Sequence, residues 1–514
     1  MQNGYRQKPG DSIFRPRRIR RDRLKRVLGI PALFSAGYGD VGSSIYYALG
    51  IVALVALGAT PIVLGIAGIL YIFNALTYAE GSAMLPEAGG SASFARHGFN
   101  NTTGFIAGWA LMLSYVATMS ISAYTIPPYL AHFWPALKEP AAGTAVSMGI
   151  ILFLMTLNVI GVKESSRLNI IFIVMDITTQ LLLVALGIVL ILAVNPSVLS
   201  NNMFGTDAVT GLSNWPSTES LIYGVAIAAL CFTGVETVSQ LAEETRQPAR
   251  RVPQAYILMI VAVLVLFAGI SIVALSAMTP KELVDQWARD PVAGIAANLP
   301  VKALSDIFAP LVSVLAASIL LTASNAGLLG ISRLAFNQSS HQLLPATLSR
   351  IHHRFRTPYL AIIIFGSISL ALLIPGFFSE QFFTDLGALY VFGSLLVFAL
   401  AHAAILALRY KQPDLERPFK LGWNIPFRGR QYPVTSILGL LGTSTVWAVV
   451  IFNEAYSRWA GLAWMSLGLV IYYSYRRYQK RKAAQPETAP ESPITVEGEV
   501  HEGHIHVTET KEKK

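Results

Sequence analysis

Apolar residues gather into twelve runs, near 31–57, 62–83, 104–133, 144–160, 168–194, 221–242, 254–279, 304–331, 358–375, 384–409, 433–452 and 459–475. Each run approaches or exceeds the ~20 residues a helix needs to cross the hydrocarbon core of a bilayer. Polar loops separate them, none large enough to form a soluble module. The pattern predicts an all-α integral membrane protein of about twelve transmembrane helices.

Two of these runs are interrupted. The first contains "SAGYGDVGSSIYYALG" (35–50), where Gly39, Gly42, Ser43 and Ser44 weaken the helix around a carboxylate, Asp40. The sixth contains "ALCFTGVETVSQLAEE" (229–244), with Thr233, Gly234 and Glu236 in mid-span. Irregular backbone survives at membrane depth only where it lines a cavity or is buried in protein. Two broken helices, five spans apart and therefore opposite in direction, are the pattern of an inverted-repeat transporter with its site at the midplane. Small-residue packing between ordinary helices does not account for a carboxylate at each break.

Composition agrees with this. Hydrophobic residues make up 53% of the 514 and charged residues 13%, about half the share usual in soluble domains. The single cysteine, Cys231, cannot form an internal disulfide. Of 39 Lys and Arg, only Lys138, Lys281, Arg289, Lys302 and Arg458 fall on one side of the predicted spans. The excess on the other side places both termini in the cytosol, with the chain in the cytoplasmic membrane. The run "RPRRIRRDRLKR" (15–26) then faces anionic lipid headgroups rather than nucleic acid. The expected organisation is a basic arm (1–30), a first five-helix unit (31–194), a second (195–409), two further spans (410–475) and a disordered tail (476–514) that includes "HEGHIH".

Three stretches give the chain a family resemblance: "TYAEGSAMLPEAGGSASFARHGF" after span 2, "FTGVETVSQLAEETRQPARRVPQA" across span 6 and "ASNAGLLGISRLAFNQSSHQLLP" after span 8. Through them, residues 28–475 resemble the amino acid–polyamine–organocation superfamily. That resemblance implies the leucine-transporter fold of two inverted five-helix repeats, with broken helices 1 and 6. The break "YGDVGSSIYY" departs from the uncharged break usual in amino acid permeases and looks more like that of potassium–proton symporters of the KUP/KimA type. By that second resemblance Asp40, Tyr47, Tyr115, Thr118, Ser122, Thr233, Glu236 and Tyr390 match positions along a potassium pathway. Ser114 stands where those symporters keep a second carboxylate.

The chemistry expected at the breaks follows from the residue types. A carboxylate inside a membrane is expensive unless paired, protonated or part of a cation path. Ser114, Thr118 and Ser122 repeat at helical spacing, forming one polar stripe on span 3. Tyr47, Tyr115 and Tyr390 offer hydroxyls and ring faces to a cation. For an amino acid substrate, backbone amides at Gly42, Ser43 and Ser44 are expected to receive the carboxylate. Unwound carbonyls from Ala229 through Phe232 and Thr233, with Asp40, would take the ammonium. Asp176, about 12 Å into span 5, is a candidate proton or coupling-ion site, aided by Thr322 and Ser324 of span 8. In the superfamily resemblance it stands where a proton-coupled relative carries a lysine in place of sodium. Glu80 and Glu87 suit gating or loop geometry, and Arg333 suits pairing with acidic loop residues. No nucleophile elbow, phosphate loop or metal-ligand cluster is present, so the expectation is a transporter, not an enzyme. Its substrate is an amino acid or related amine, or alternatively potassium, with no cofactor beyond a coupling proton or monovalent cation. Its surroundings are the lipid bilayer.

Overall fold

The computed structural model describes residues 26–161, 166–194, 197–207, 211–379, 381–427 and 429–484. The first half of the chain forms α1 (Ile30–Val41), α2 (Ile45–Ala56), α3 (Thr60–Met84), α4 (Ser91–Gly98), α5 (Asn101–Leu130), α6 (Pro140–Ile160), α7 (Ser166–Val194) and α8 (Ser197–Phe204). The second half forms α9 (Thr218–Ala228), α10 (Glu236–Gln240), α11 (Pro248–Ala277), α12 (Pro280–Trp287), α13 (Pro291–Ala297), α14 (Lys302–Ser340) and α15 (Tyr359–Leu373). α16 (Phe382–Lys411), α17 (Val434–Asn453) and α18 (Ala455–Ala484) close the chain.

Among the described residues, ten helical stretches are long and apolar enough to cross a membrane. The first, Ile30–Met84, is 55 residues long, about 80 Å if straight and so more than two crossings of a ~30 Å core. It turns at Leu57, where φ is 45°, and re-enters as α3 behind Pro61. The expected twelfth span, 459–475, lies inside α18, which is not among the ten. Its apolar run is diluted by Trp459, Trp464, Tyr472 and Tyr473. α18 also continues to Ala484, past the residue 475 where that span was expected to end. The basic arm up to residue 25 and the tail beyond residue 484, "HEGHIH" included, lie outside the described residues.

α5 forms the centre of the bundle, buried along nearly its whole length, with α14 and α16 packed against it. Small residues allow these close contacts. A Cβ on Gly327 of α14 would lie 3.0 Å from the Tyr115 carbonyl, and one on Gly393 of α16 would lie 3.0 Å from the Ser114 amide. The sequence reading did not anticipate the short antiparallel hairpin between α16 and α17. Its strands, β1 (Asn424–Phe427) and β2 (Arg430–Pro433), pair Asn424 with Pro433 and Phe427 with Arg430.

Polar groups fix the scaffold from inside. Arg409 Nε and a terminal guanidinium nitrogen donate to the two oxygens of Glu80, each at 2.8 Å, and the Leu421 amide adds a third bond at 3.1 Å. His402 lies between Thr77 (2.9 Å) and Asn74 (2.8 Å), tying α16 to α3. The backbone entering α1 is joined to the loop after α10. The Val27 and Leu28 amides donate to the Glu244 carbonyl, and the Arg246 amide donates to the Leu28 carbonyl at 3.0 Å.

Candidate functional site

The two interruptions lie against each other at the heart of the bundle, and they differ in kind. In span 1 a single 3₁₀ turn, Gly42–Ser44, separates α1 from α2 while the backbone stays right-handed. The Gly42 amide is used by the Tyr38 carbonyl, so it is not the free donor expected for a substrate carboxylate. Ser43 Oγ donates to the Asp40 carbonyl at 2.7 Å, and the Ser44 hydroxyl meets that of Tyr47 at 3.1 Å. Span 6 is opened completely. After a 3₁₀ turn at Ala229–Phe232, Thr233 is extended and Gly234 adopts φ +97° before α10 begins at Glu236. Thr233 Oγ1 donates back to the Leu230 carbonyl at 2.8 Å.

The conformation of Gly234 is what brings the two breaks together. A Cβ there would lie 2.7 Å from Asp40 Cγ, so only glycine lets the strand pass the carboxylate. One residue beyond Glu236, Thr237 Oγ1 donates to Asp40 Oδ2 at 2.5 Å. The other oxygen, Asp40 Oδ1, is buried and has no hydrogen-bond partner among the described residues, and the same holds for Glu236 Oε2. Tyr115 accepts a hydrogen bond from Gln240 Nε2 and lies within range of the charges of Glu236 and Asp40. Tyr390 is likewise within range of Asp40, Tyr47 and Glu236.

The other expected site residues differ in their contacts. Ser114 bonds Ser394 of α16 at 2.6 Å, and Thr118 donates to the Ser114 carbonyl at 2.9 Å. The Ser122 hydroxyl is buried with no partner among the described residues. Phe232 packs into an aromatic cluster with Tyr71 and Phe267, at centroid distances of 5.3 and 5.4 Å. Ser324 donates to the Met119 carbonyl and Thr322 to that of Ser318, so neither bonds Asp176. The donors that do reach Asp176 were missed in the sequence. They are Tyr38 (3.2 Å), Gln180 (2.8 Å) and Tyr46, which lies on the far side of the span 1 turn.

A cavity of about 760 Å³ runs into the bundle beside these groups. Ala32, Ser35, Ala36 and Gly39 line it at i, i+3, i+4 and i+7, a single face of α1 about 10 Å long. At its mouth stand Arg333 and Glu244, 3.6 Å apart, which is the acidic-loop pairing expected of Arg333. Deeper in, Thr237, Gln240, Tyr115 and Thr322 form the lining. Thr237 and Gln240 carried a sequence signal, since Gln240 is four residues after Glu236 and shares its helical face. Beyond the breaks, among the described residues, α2 is packed tightly against its neighbours. Gly50 of α2 lies directly against the Ala288 backbone, and Tyr129 donates to the Tyr46 carbonyl at 2.7 Å.

In the loop after α3, Glu87 accepts from Arg96 (2.5 Å) and His97 (3.0 Å). Partial burial opposes its ionisation. Hydrogen bonds from His97 and Ser93 and the Arg96 charge outweigh that effect and lower its pKa to about 2. No group of three or more metal-ligating side chains occurs among the described residues.

Comparison with known proteins agrees with this architecture. The model of a family described as "Amino acid permease" matches residues 28–473. The branched-chain amino acid permease BcaP of Bacillus subtilis is 27% identical, over 88% of this chain and 94% of its own length. The methylthioribose transporter of the same bacterium is 28% identical over 88% and 94%. The human large neutral amino acids transporter small subunit 2 is 25% identical over 88% and 80%. With a match across nearly all of its helical region, the chain belongs to the amino acid permease family.

Proposed function

We propose that this membrane protein carries an amino acid or related amine across the cytoplasmic membrane by alternating access, with both termini cytosolic and Asp176 as the proton-coupling group. The cavity carries the reading. It runs from the Arg333–Glu244 end of the molecule to Gly39, next to Asp40 in the chain, and to Thr237, which bonds Asp40. On the other side of the breaks α2 packs tightly at Gly50, and Tyr129 bonds the Tyr46 carbonyl. That is the shape of one access state of a central site. Its open end lies on the Lys- and Arg-rich side, which charge bias assigns to the cytosol. The repeat organisation expected from the sequence, 31–194 and 195–409 with two additional spans to residue 475, fits a site built between two interrupted helices.

Asp176 suits a proton better than a metal ion. A hard cation such as sodium needs a cage of oxygens with free lone pairs. Here Tyr38, Tyr46 and Gln180 point hydrogen-bond donors at the carboxylate, an arrangement that stabilises an anion and surrenders one bond when a proton arrives. Because Tyr38 and Tyr46 flank the Gly42–Ser44 turn, a change at Asp176 acts on both halves of span 1. The test is uptake by purified protein in proteoliposomes. Asp176→Asn is expected to abolish pH-gradient-driven accumulation while exchange of labelled for unlabelled substrate continues. An unaltered response to the gradient removes Asp176 from coupling.

A further inference from the structure

The buried carboxylates of this fold are provided for in different ways. Glu80 has Arg409, and Asp176 has three neutral donors. Asp40 and Glu236, 2% and 1% exposed, each retain one buried oxygen with no partner among the described residues. Asp40 packs against Gly234, two residues before Glu236. Among the described residues Arg409 is the one buried Lys or Arg side chain, and it is committed to Glu80. Arg333, at the cavity mouth, is 44% exposed and faces Glu244.

A buried carboxylate oxygen without a partner is costly. Two of them within Coulomb range, in a region with no uncommitted cation, favour a positive ligand and disfavour a negative one. A zwitterion brings its own carboxylate to that pair, and the Gly42 amide expected to receive it already serves Tyr38. A cavity of about 760 Å³ falls in the range of small-molecule sites and is far larger than a dehydrated monovalent ion. Tyr115, in the cavity wall and bonded to Gln240 one turn after Glu236, adds an aromatic ring of the kind that attracts an organic ammonium.

We infer that the substrate is an organic cation, an amine of net positive charge whose ammonium group is held between Asp40 Oδ1 and Glu236 Oε2. This rests on amino acid or amine transport by the same site, and it narrows that class against neutral zwitterions.

The experiment is an uptake panel with purified full-length protein in proteoliposomes: labelled agmatine, lysine, leucine and rubidium. Agmatine or lysine uptake is expected to exceed leucine uptake by roughly tenfold or more, the scale of one charge-assisted contact. Asp40→Asn and Glu236→Gln are each expected to lower uptake of the preferred cation by a similar factor. The wild-type panel decides the matter whether or not these variants fold. Leucine uptake equal to that of the cations overturns the inference and leaves amine transport standing. Uptake of rubidium alone overturns both.

Discussion

Replacing Gly234 by alanine adds one methyl group at the point where the two broken spans meet. The backbone there has φ +97°, a region that L-residues adopt at a cost of about 1–3 kcal/mol. The new Cβ would lie 2.7 Å from Asp40 Cγ and 3.0 Å from its Oδ2, whereas carbon contacts settle near 3.5–4.0 Å. The carboxylate must therefore withdraw by roughly an ångström, which breaks its hydrogen bond from Thr237. Loss of a bond to a charged group adds about 1.5–3 kcal/mol. Together these give about 2.5–6 kcal/mol. If the ligand needs the native arrangement, that is roughly a hundredfold or greater loss of affinity, at about 1.4 kcal/mol per decade. Gly211→Ala is the control, since φ is +68° there and nothing lies within 4 Å of the added Cβ. It bears the backbone strain without the collision. Direct binding of labelled substrate to purified protein, with thermal melting followed by size-exclusion chromatography, reads both effects. Adding Asp40→Ala to Gly234→Ala should relieve the collision and restore melting to the level set by the backbone strain alone, but should not restore binding. Gly234→Ala binding within threefold of wild type refutes the claim that this glycine sets the site.

The Glu80–Arg409 pair predicts strong non-additivity. Arg409→Met strands a fully buried carboxylate and should destabilise by about 3–5 kcal/mol, whereas Glu80→Met with Arg409→Met should lose far less than the sum of the two single changes. Additive losses in melting temperature would count against the pair as a unit. In the loop after α3, Glu87 titrates in the folded state near pH 2. A depressed carboxyl pKa stabilises at pH above its unfolded value near 4.5, and that stabilisation disappears as pH falls toward 2. Protease resistance of the 85–98 segment should stay flat from pH 8 to 5, decline below about 4.5, and lose this decline in Glu87→Gln.

How much of this was legible in the sequence depended on the range of each interaction. Span positions follow from local apolarity, so all twelve expected crossings have helical counterparts, eleven of them within the ten long apolar stretches and the twelfth in α18, where Trp and Tyr dilute the apolar run. Both interruptions were visible as glycine, serine and carboxylate clusters. Their depth was not, because span 1 needs only a 3₁₀ turn whereas Gly234 takes a left-handed conformation. Partners that meet across the fold left no local trace. Tyr38 and Tyr46 reach Asp176 from more than a hundred residues away, and Arg409 reaches Glu80 across 329. Thr322 and Ser324 were nominated for Asp176 on residue type, yet Thr322 bonds the carbonyl one turn back, the usual habit of Ser and Thr in helices, and Ser324 bonds the Met119 carbonyl of α5.

The strap joining Val27 and Leu28 to Glu244 and Arg246 consists of peptide groups alone. It ties the start of one interrupted span to the end of the other, so the two ends are held together at the cavity mouth. Side-chain identity is irrelevant to it. Any residue other than proline at positions 27, 28 and 246 can supply the amides, which hides the joint from comparison by sequence. An alanine scan would pass over it as well, and only a scan with proline or an ester bond in the backbone would cut it.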